Sequence, residues 1–490
     1  MDKTPTAISG GGGHIGHALT CGNVPRQTNL QIGSRISLDG RSFRRLSNEE
    51  PVGKNSYLNW TSAAKRIPGV LATVAIVSCL TNFLFYLHFR TYVVPDTISY
   101  VVPAKNLIAG RGFTNAYGQP ELFRTPGYTV LMSPFLMAGD GLKYLVVVQH
   151  ILAILIAVGT ALFVFRNSGS RLQSLVAGVV LAVDLPFITA ANNLLSELPF
   201  TAMLTVALYL VWSGSQEPTQ LRAILLAGLL SGASVLVRPV AVLIFLPISL
   251  YLLLSCKQAK LKAAVAFTVA WAILPGLWMI RNHHVTDHYV LTTLSSHNLL
   301  LYRAAGVEVA HDPGNIGDNV VRRQVEMKKE ECQALGFGYV EECPQADPIL
   351  RYQYEQKTAV PIILHHIPEY LKLTTRSAAA MMLGAGPSEV AEITHVPPLR
   401  APIVILAVTV PFFLFAGLGL AYWWRNDRRF FYLTFLVIAY FVLVSAGDAY
   451  SRMRVPIMPL YAALIGAGVA LVYQKITWRR PPSQESADGA

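Results

Sequence analysis

Long apolar runs constrain this chain more than any other feature of its sequence. A helix needs about 20 consecutive, mostly apolar residues to cross the roughly 30 Å hydrocarbon core of a bilayer. Runs of this kind, some of them short, occur at residues 68–88, 142–165, 172–191, 194–213, 221–237, 239–255, 262–281, 400–423, 430–446 and 455–473. Only 14% of the residues are charged and 53% are hydrophobic, whereas about a quarter of the residues of soluble proteins are charged. We therefore predict an all-α polytopic membrane protein with about ten transmembrane helices, outer-face surface helices and a mixed large extracytoplasmic loop.

The distribution of basic residues predicts the orientation of these helices, because Lys and Arg accumulate in cytoplasmic loops. With ten helices and both termini in the cytoplasm, every short basic stretch lies on the cytoplasmic side. These stretches are residues 166–171, 256–262, 424–430 and 474–480. They also explain much of the net charge of +12, and no basic patch interleaved with aromatic residues indicates a nucleic-acid partner.

The same topology divides the chain into five parts. We expect a disordered basic cytoplasmic tail, an N-terminal transmembrane module that includes an outer loop at residues 90–127, an extracytoplasmic loop, C-terminal transmembrane helices and a second cytoplasmic tail. Their boundaries are residues 1–67, 68–281, 282–399, 400–475 and 476–490. The first apolar run is too late and too long for a cleavable secretion signal.

Two outer segments have further predicted features. Residues 357–383 combine a helical apolar period with mixed charge, which is typical of a helix on the membrane surface. Cys332 and Cys343 lie in the same outer loop, where a disulfide is compatible with an oxidising compartment; two free thiols are the alternative. Neither this pair nor the paired histidines at 283–284 and 365–366 have the spacing of a zinc site.

Six arginines map to the outer side, against the usual charge bias. They are Arg90, Arg124, Arg238, Arg281, Arg452 and Arg454. An arginine at membrane depth is costly unless it meets an anion or a hydrated cavity. Each of them alone is explained equally well by snorkelling to lipid headgroups. Taken together they favour a shared anionic ligand, since the planar guanidinium fork binds two oxygens of a phosphate.

Few acids share this outer face, and they are Asp96, Glu197 and Asp448. Pro95 favours the start of a turn or helix, so that Asp96 is either an ordinary helix N-cap or a carboxylate held in the first turn for another purpose. One carboxylate together with several arginines provides a base for an acceptor and cations for a leaving group. This is the arrangement that group transfer from a lipid-linked phosphate requires.

Several segments resemble one family in the order in which that family has them. They are "PDTISYVVPAKNLIAGRGFT", "FRTPGYTVLMSPF", "SELPF", "VRPVAVLIFLP", "LPGLWMIRNHHV" and "SRMRVPIMPLYAAL", spread over residues 68–475. In these segments the chain resembles GT-C glycosyltransferases of the protein O-mannosyltransferase and aminoarabinose-transferase type. The resemblance implies a GT-C fold and makes the segment at 90–127 the catalytic outer loop.

The resemblance also implies an activity, a place and partners. The protein would move a hexose or pentose from a polyprenyl-phosphate donor to a hydroxyl of an envelope glycolipid, a glycan or a protein. It would work on the periplasmic face of a bacterial inner membrane, with membrane lipids around it and without a cofactor.

The family's site residues carry over by position. Asp96 matches the general base, and Arg124 matches the basic residue that faces the donor phosphate. The other residues expected to bind phosphate are Arg281, Arg452 and Arg454, and those expected to contact substrate are Tyr100, Tyr128, Glu197, Arg238 and Tyr302. Glu197 is equally well explained as the buried partner of an arginine.

One residue departs from the family pattern. Thr97 stands where several relatives have a second acid, which favours a metal-independent reaction over an Asp–Glu metal site. The implied reaction is a single displacement at the anomeric carbon. Because a phosphate leaves without protonation at neutral pH, one carboxylate suffices, unlike the two that a glycosidase needs.

Three other functions remain open at this stage. An anionic-lipid transporter or flippase would use the same arginines without chemistry, although no inverted repeat with matched broken helices is evident. A glycan ligase or polymerase would take a lipid-diphosphate donor and use arginines or histidines of the large outer loop. A scaffold subunit without activity would have no need of Asp96 and Arg124.

Overall fold

The structure is a computed structural model that describes residues 67–88, 93–139, 141–310, 316–338, 343–384, 400–445, 447 and 450–478. The predicted N-terminal tail up to residue 66, Arg90, Asp448 and most of the predicted C-terminal tail lie outside these residues.

The regular elements of the described residues are helices, which confirms the predicted all-α class. The helices are α1 (Pro68–His88), α2 (Pro95–Ile108), α3 (Pro126–Leu136), α4 (Gly141–Ser168), α5 (Arg171–Val183), α6 (Leu185–Asn192), α7 (Glu197–Gly214), α8 (Leu221–Val237), α9 (Phe245–Ser255), α10 (Lys260–Thr286), α11 (Leu294–Asn298), α12 (Ala305–Ala310), α13 (Ile316–Ala334), α14 (Pro348–His365), α15 (Ile367–Leu383), α16 (Ala401–Asn426), α17 (Arg428–Val444) and α18 (Met458–Trp478). Short 3-10 turns cover Pro239–Ala241, Cys343–Gln345 and Ser451–Ile457, and Leu299–Ala304 is a π-helix.

The described helices are those of a polytopic membrane protein. Six helical segments are long and apolar enough to cross a bilayer, and the bent pair α5 and α6 would make a seventh. The six are α1, α4, α7, α10, Pro402–Asn426 of α16 and Ser451–Thr477. Shorter apolar helices cover Leu221–Val237 and Pro239–Ser255. The sequence-based count of ten spans therefore stays a prediction, although a helix lies at each of the ten positions.

The bend of 52° between α5 and α6 has a local cause. Pro186 lacks an N–H and its ring clashes with the carbonyl group four residues earlier, which disfavours a continuous helix, whereas the first turn of a new helix accommodates it. Asp184 caps the new helix, since its Oδ1 accepts a hydrogen bond of 3.1 Å from the Phe187 N–H. The span is thus broken at a residue whose carboxylate remains available for a second contact.

Close helix packing depends on small residues. Gly228 and Gly232 lie one turn apart on α8, and a Cβ atom on them would come within 2.5 and 2.4 Å of the Phe267 and Trp271 carbonyl oxygens of α10. Such spacing lets two backbones approach in a membrane, where van der Waals contact drives helix association. Large apolar side chains such as Ile76 and Leu80 of α1 remain exposed, as is expected of surfaces that face lipid.

Charged residues at one end of the bundle join loops that the topology assigns to the cytoplasm. Glu217 lies 3.4 Å from Lys257 Nζ and 3.7 Å from Arg429 Nη2. The loops after α7, α9 and α16 therefore meet at one end. The starts of α2 and α7 and the end of α8 meet at the opposite end, where the candidate site lies.

The regular elements of the large outer loop are helices over its described residues, with one difference from the sequence expectation. The single helix predicted over 357–383 is wrong, because α14 ends at His365 and α15 begins at Ile367. Pro368 favours the break, since a proline has no N–H to donate and its ring clashes with the carbonyl group four residues earlier. As expected, Cys332 and Cys343 form a disulfide with a Cα–Cα distance of 5.3 Å, which links the last turn of α13 to the 3-10 turn before α14.

A buried ion pair fixes the outer loop to the bundle. Arg454 Nη2 lies 2.9 Å from Asp184 Oδ2, and both side chains are almost fully buried. The Arg454 Nη1 group donates to the carbonyl oxygens of Met381, Met382 and Gly384 at 3.2, 2.7 and 3.1 Å. Arg454 therefore joins the break between α5 and α6 to the end of α15.

We predict that Arg454→Met lowers the free energy of unfolding by about 3–5 kcal/mol, because it leaves the Asp184 carboxylate buried and unpaired. Thermal unfolding of the detergent-purified protein measures this loss. The double variant Arg454→Met with Asp184→Asn keeps a cap on α6 and should recover most of it. Arg222→Met, at an exposed position of α8, is the matched control. Equal stability of the Arg454 and Arg222 variants would contradict the prediction.

Candidate functional site

The first turn of α2 places Asp96 at the end of the bundle opposite the loops joined by Glu217. Val94 is extended and acts as the N-cap, with Pro95 and Asp96 following inside the helix. Asp96 is therefore a first-turn residue and does not cap α2. Thr97 does the capping work: its hydroxyl accepts from the Val94 N–H at 3.0 Å and donates to the Leu194 carbonyl at 3.2 Å. The residue that replaces a second acid thus holds the start of α2 in place.

Asp96 contacts two arginines from distant parts of the chain. Its Oδ1 lies 3.3 Å from Arg124 Nη2, and its Oδ2 lies 3.3 Å from Arg452 Nη1. The Asp96 side chain remains 46% exposed, so it is accessible from outside while both guanidinium groups are largely covered. A carboxylate in this position is reachable by a ligand and is held by two cations.

Arg124 is oriented by the helix that carries Asp96. Its Nε donates to Ser99 Oγ at 2.8 Å, its Nη1 donates to Tyr100 OH at 3.2 Å, and its guanidinium carbon lies 4.6 Å from the centre of the Tyr100 ring. These residues follow Asp96 by three and four positions, hence on the same helix face. The guanidinium group is fixed before any ligand binds.

Glu121 orders the backbone in front of Arg124. Its buried Oε1 accepts hydrogen bonds from the Phe123 and Arg124 N–H groups at 2.7 and 2.9 Å. Burial raises the pKa of the Glu121 carboxyl, although these backbone hydrogen bonds and the Arg124 charge act in the opposite direction. Glu121 therefore positions Arg124 through the main chain.

Glu197, the first residue of α7, is fully buried between two arginines. Its Oε1 lies 2.6 Å from Arg238 Nη1 and also accepts a hydrogen bond from Arg452 Nε. Arg238 is linked to α2 as well, because Ser196 Oγ lies 3.4 Å from Arg238 Nη1 and 3.3 Å from Tyr100 OH. Glu197 thus holds Arg238 and Arg452 side by side.

We call the set of Asp96, Arg124, Glu197, Arg238 and Arg452 the outer charge cluster. Three guanidinium groups face two carboxylates in it, so one positive charge is left over when both acids are ionised. Guanidinium groups form strong, charge-assisted hydrogen bonds with phosphate and carboxylate oxygens. The cluster can therefore bind an anion beside the reachable Asp96 carboxylate.

Tyr128 packs behind Tyr100 and is not part of the outer charge cluster. Its ring is fully buried, packs edge-on against the Tyr100 ring at 5.0 Å, and its hydroxyl donates to Gln149 Oε1 at 2.8 Å. Gly127 permits this packing, since a Cβ atom there would lie 2.6 Å from the Leu236 carbonyl oxygen of α8. We therefore correct the predicted role of Tyr128 from substrate contact to packing.

The structure does not bring the remaining predicted residues into the cluster. Arg281 Nη2 donates to the Phe113 carbonyl at 3.1 Å, and its guanidinium carbon lies 4.8 Å from the centre of the Trp278 ring. Arg454 is bound to Asp184, so its expected phosphate role is corrected to the structural role described above. Tyr302 belongs to the π-helical segment and is about half exposed.

A cavity of about 460 Å³ opens beside the cluster. Its lining includes Pro95 and Ser99 of α2, of which Ser99 accepts a hydrogen bond from Arg124, and His297 and Glu355 of the large outer loop. Over the described residues, no group of three or more His, Cys, Asp or Glu side chains lies close enough to hold a metal ion.

Sequence reasoning missed Ser99, Ser196, Glu121, His297 and Glu355. Ser99 had a usable signal, because a residue three positions after Asp96 shares its helix face. The signal for Ser196 was its position directly before Glu197 in the chain. The other three depend on contacts between separate segments, which local sequence patterns do not reveal.

Comparison with known proteins gives distant likenesses. No family model matches this chain. An uncharacterized protein of Aquifex aeolicus (strain VF5) is 25% identical over 236 residues, which are 46% of this chain and 46% of that protein. The archaeal oligosaccharyltransferase AglB from Archaeoglobus fulgidus, solved with an inhibitory peptide and a dolichol-phosphate, has a TM-score of 0.47 and 14% identity.

That likeness to AglB covers 84% of this chain and 50% of AglB, so the chain spans half the length of that protein. ArnT from Cupriavidus metallidurans, bound to undecaprenyl phosphate, has a TM-score of 0.37 and 12% identity over 85% of this chain and 81% of ArnT. With identities and TM-scores this low, the activity of the present chain has to be argued from its own residues.

We predict that Arg124→Met weakens the binding of dodecyl phosphate by about 10- to 100-fold, because a charge-assisted hydrogen bond is worth about 1.5–3 kcal/mol. Binding is measured by titration calorimetry in detergent. Arg111→Met is the matched control, since Arg111 lies in the same outer segment and bonds Asn106 Oδ1 instead of Asp96. Equal affinity of both variants would show that Arg124 does not face the anion.

Proposed function

We propose that the protein is an integral membrane glycosyltransferase that moves a monosaccharide from a polyprenyl-phosphate donor to an acceptor hydroxyl. The observation that carries the proposal is the double contact of Asp96 with Arg124 and Arg452 at 3.3 Å each. In these contacts an accessible carboxylate, the proposed base, lies beside the cations that would bind the donor phosphate. The resemblance of the outer-loop segments to GT-C glycosyltransferases supports the same assignment.

The charges of the cluster match the charges of the reaction at both of its stages. A sugar linked to a polyprenyl phosphate is a phosphodiester with one negative charge, which balances the one surplus positive charge of the cluster. When the sugar leaves, polyprenyl phosphate becomes a monoester with roughly two negative charges at neutral pH. Asp96 takes the acceptor proton in the same step, which raises the surplus of the cluster by one.

Protonation of Asp96 also releases its two arginines at the moment when the leaving group needs them. The acceptor oxygen forms a bond to the anomeric carbon, the bond from that carbon to the phosphate oxygen breaks, and the acceptor proton moves to Asp96. Arg124 and Arg452 then lose Asp96 as an anionic partner, so that more of their positive charge acts on the phosphate while Arg452 keeps its contact with Glu197. Such pre-oriented cations stabilise developing charge without reorganisation at the time of reaction.

The position of the outer charge cluster at one end of the helix bundle suits a lipid-linked donor. It lies at the ends of α7 and α8, opposite the loops joined by Glu217, and positive-inside topology puts these joined loops in the cytoplasm. The cluster would then face the periplasm of a bacterial inner membrane, with the polyprenyl chain in the bilayer. A hexose or a pentose, and a glycolipid, glycan or protein acceptor, are all compatible with this site.

We expect Asp96→Asn to lower the release of polyprenyl phosphate by about 10²- to 10⁴-fold, which is the usual contribution of a general base. The assay uses protein in nanodiscs, a panel of undecaprenyl-phosphate sugars and an envelope extract of the source organism as the acceptor. Release is followed by mass spectrometry. Binding of dodecyl phosphate should be kept or strengthened, because the substitution removes a negative charge from the cluster.

Asp287→Asn, at an exposed position after α10, is the control for the loss of an acidic residue at the same end of the bundle. Release that survives Asp96→Asn would exclude Asp96 as the base. Lipid phosphate binding without release from any donor would favour an anionic-lipid transporter, and release from diphosphate donors alone would favour a ligase. Parallel reactions with EDTA separate a metal-dependent reaction from a metal-independent one.

A further inference from the structure

The cavity beside Asp96 contains a histidine and a carboxylate that the proposed reaction does not use. Glu355 of α14 is almost fully buried, and its Oε2 accepts a hydrogen bond of 2.5 Å from Ser296 Oγ. Its Oε1 accepts from His297 Nδ1 at 3.2 Å. A histidine whose Nδ1–H is bound to a carboxylate has a fixed ring and tautomer, which leaves Nε2 for a second partner.

The His297 ring is part of the cavity wall and is fixed on its other side as well. It packs edge-on against the Phe123 ring at 5.4 Å, and Phe123 precedes Arg124 in the chain. The histidine on the large outer loop is therefore coupled to the segment that positions the donor-side arginine. A ligand bound at His297 would lie in the same cavity as Pro95 and Ser99, next to Asp96.

The charged groups in the cavity wall already have partners. Arg351 Nε lies 2.9 Å from Glu331 Oε1, Glu121 accepts backbone N–H groups, and Glu355 accepts from Ser296 and His297. An ionic ligand would have to displace one of these buried contacts, which is unfavourable. The wall thus fits a neutral ligand with hydroxyl groups better than a charged one.

Several other residues of the cavity lining are apolar and suit the flat face of a sugar ring. Ile98, Val102, Pro120, Leu122 and Phe123 contribute to it. Carbohydrate recognition commonly combines an apolar or aromatic surface for the C–H face with hydrogen-bonding groups for the hydroxyls. The volume of about 460 Å³ lies within the range of roughly 300–1,000 Å³ found for small-molecule sites.

We propose that this cavity is the acceptor site, that it binds a neutral sugar residue of a glycan or glycolipid, and that His297, fixed by Glu355, holds one of its hydroxyl groups while another meets Asp96. This inference rests on the proposed function for the role of acceptor, but the binding of a sugar can be tested without turnover. His297 and Glu355 act as positioning residues for the acceptor.

The test uses a reporter cysteine in the cavity wall. Ala116→Cys is introduced at an exposed position of the cavity, with Cys21, Cys79 and Cys256 replaced by Ser and the disulfide kept. The rate of maleimide labelling is measured with methyl glycosides, with soluble glycans released from the envelope of the source organism, and with peptides containing Ser and Thr. Ala421→Cys, in a separate groove lined by Leu420 and Trp424, is the control.

We expect at least one glycoside or glycan to slow labelling of Ala116→Cys several-fold and to leave Ala421→Cys unaffected. Protection by the peptides alone would overturn the sugar assignment in favour of a protein acceptor. Absence of protection by all probes would overturn the site. If a sugar protects the cysteine but the protein releases no polyprenyl phosphate, the sugar site is kept and the transferase function is rejected. A failure of the proposed site and a failure of the proposed function are therefore distinguishable.

In the transferase assay, His297→Gln should raise the KM for the acceptor by about threefold to tenfold, as expected for the loss of one neutral hydrogen bond. Affinity for dodecyl phosphate should not change. His284→Gln, at an exposed position near the end of α10, is the control. A fall in kcat with an unchanged KM for the acceptor would assign His297 a role other than acceptor positioning.

Discussion

The buried Glu197 carboxylate is the constraint on which the outer end of this protein depends. A fully buried carboxylate is costly unless it is paired and hydrogen-bonded, and here it is held by Arg238 and Arg452. These residues belong to the start of α7, the end of α8 and the 3-10 turn before α18. The ion pairs therefore fix three parts of the bundle to one another at the level of the site.

Arg452 transmits this constraint to Asp96, because its guanidinium group contacts both acids. Glu197 is completely buried, whereas Asp96 is about half exposed. Of the two partners, Asp96 is the one that a ligand can reach, and in the proposed reaction it takes the acceptor proton. When Asp96 is neutralised, Arg452 stays in place through Glu197, and Arg124 stays in place through Ser99 and Tyr100. The site can change its charge during a reaction without changing its geometry.

The parts of the fold and site that sequence predicts are those with a local or compositional cause. The apolar runs indicate the helices, Pro95 indicates the start of α2, and the outward arginines indicate an anion site. The sequence did not separate Arg452 from Arg454. The 3-10 helix has about three residues per turn, so residues two apart point to different sides. One of them meets Asp96, and the other meets Asp184.

Four of the outward arginines fall into two groups according to the acceptors that their side chains contact, and this difference explains which sequence-based predictions were wrong. They are Arg124, Arg281, Arg452 and Arg454. Arg281 donates to the Phe113 carbonyl, and Arg454 contacts the buried Asp184 carboxylate and three backbone carbonyls. These acceptors are fixed by the fold, so both residues hold segments together. Arg124 and Arg452 contact the exposed carboxylate of Asp96, whose charge can change. Both kinds satisfy the same requirement, that an arginine at membrane depth meets an acceptor, and the sequence expresses only that shared requirement. The distinction depends on whether the acceptor is an exposed carboxylate or a group fixed inside the fold, which follows from packing between segments far apart in the chain.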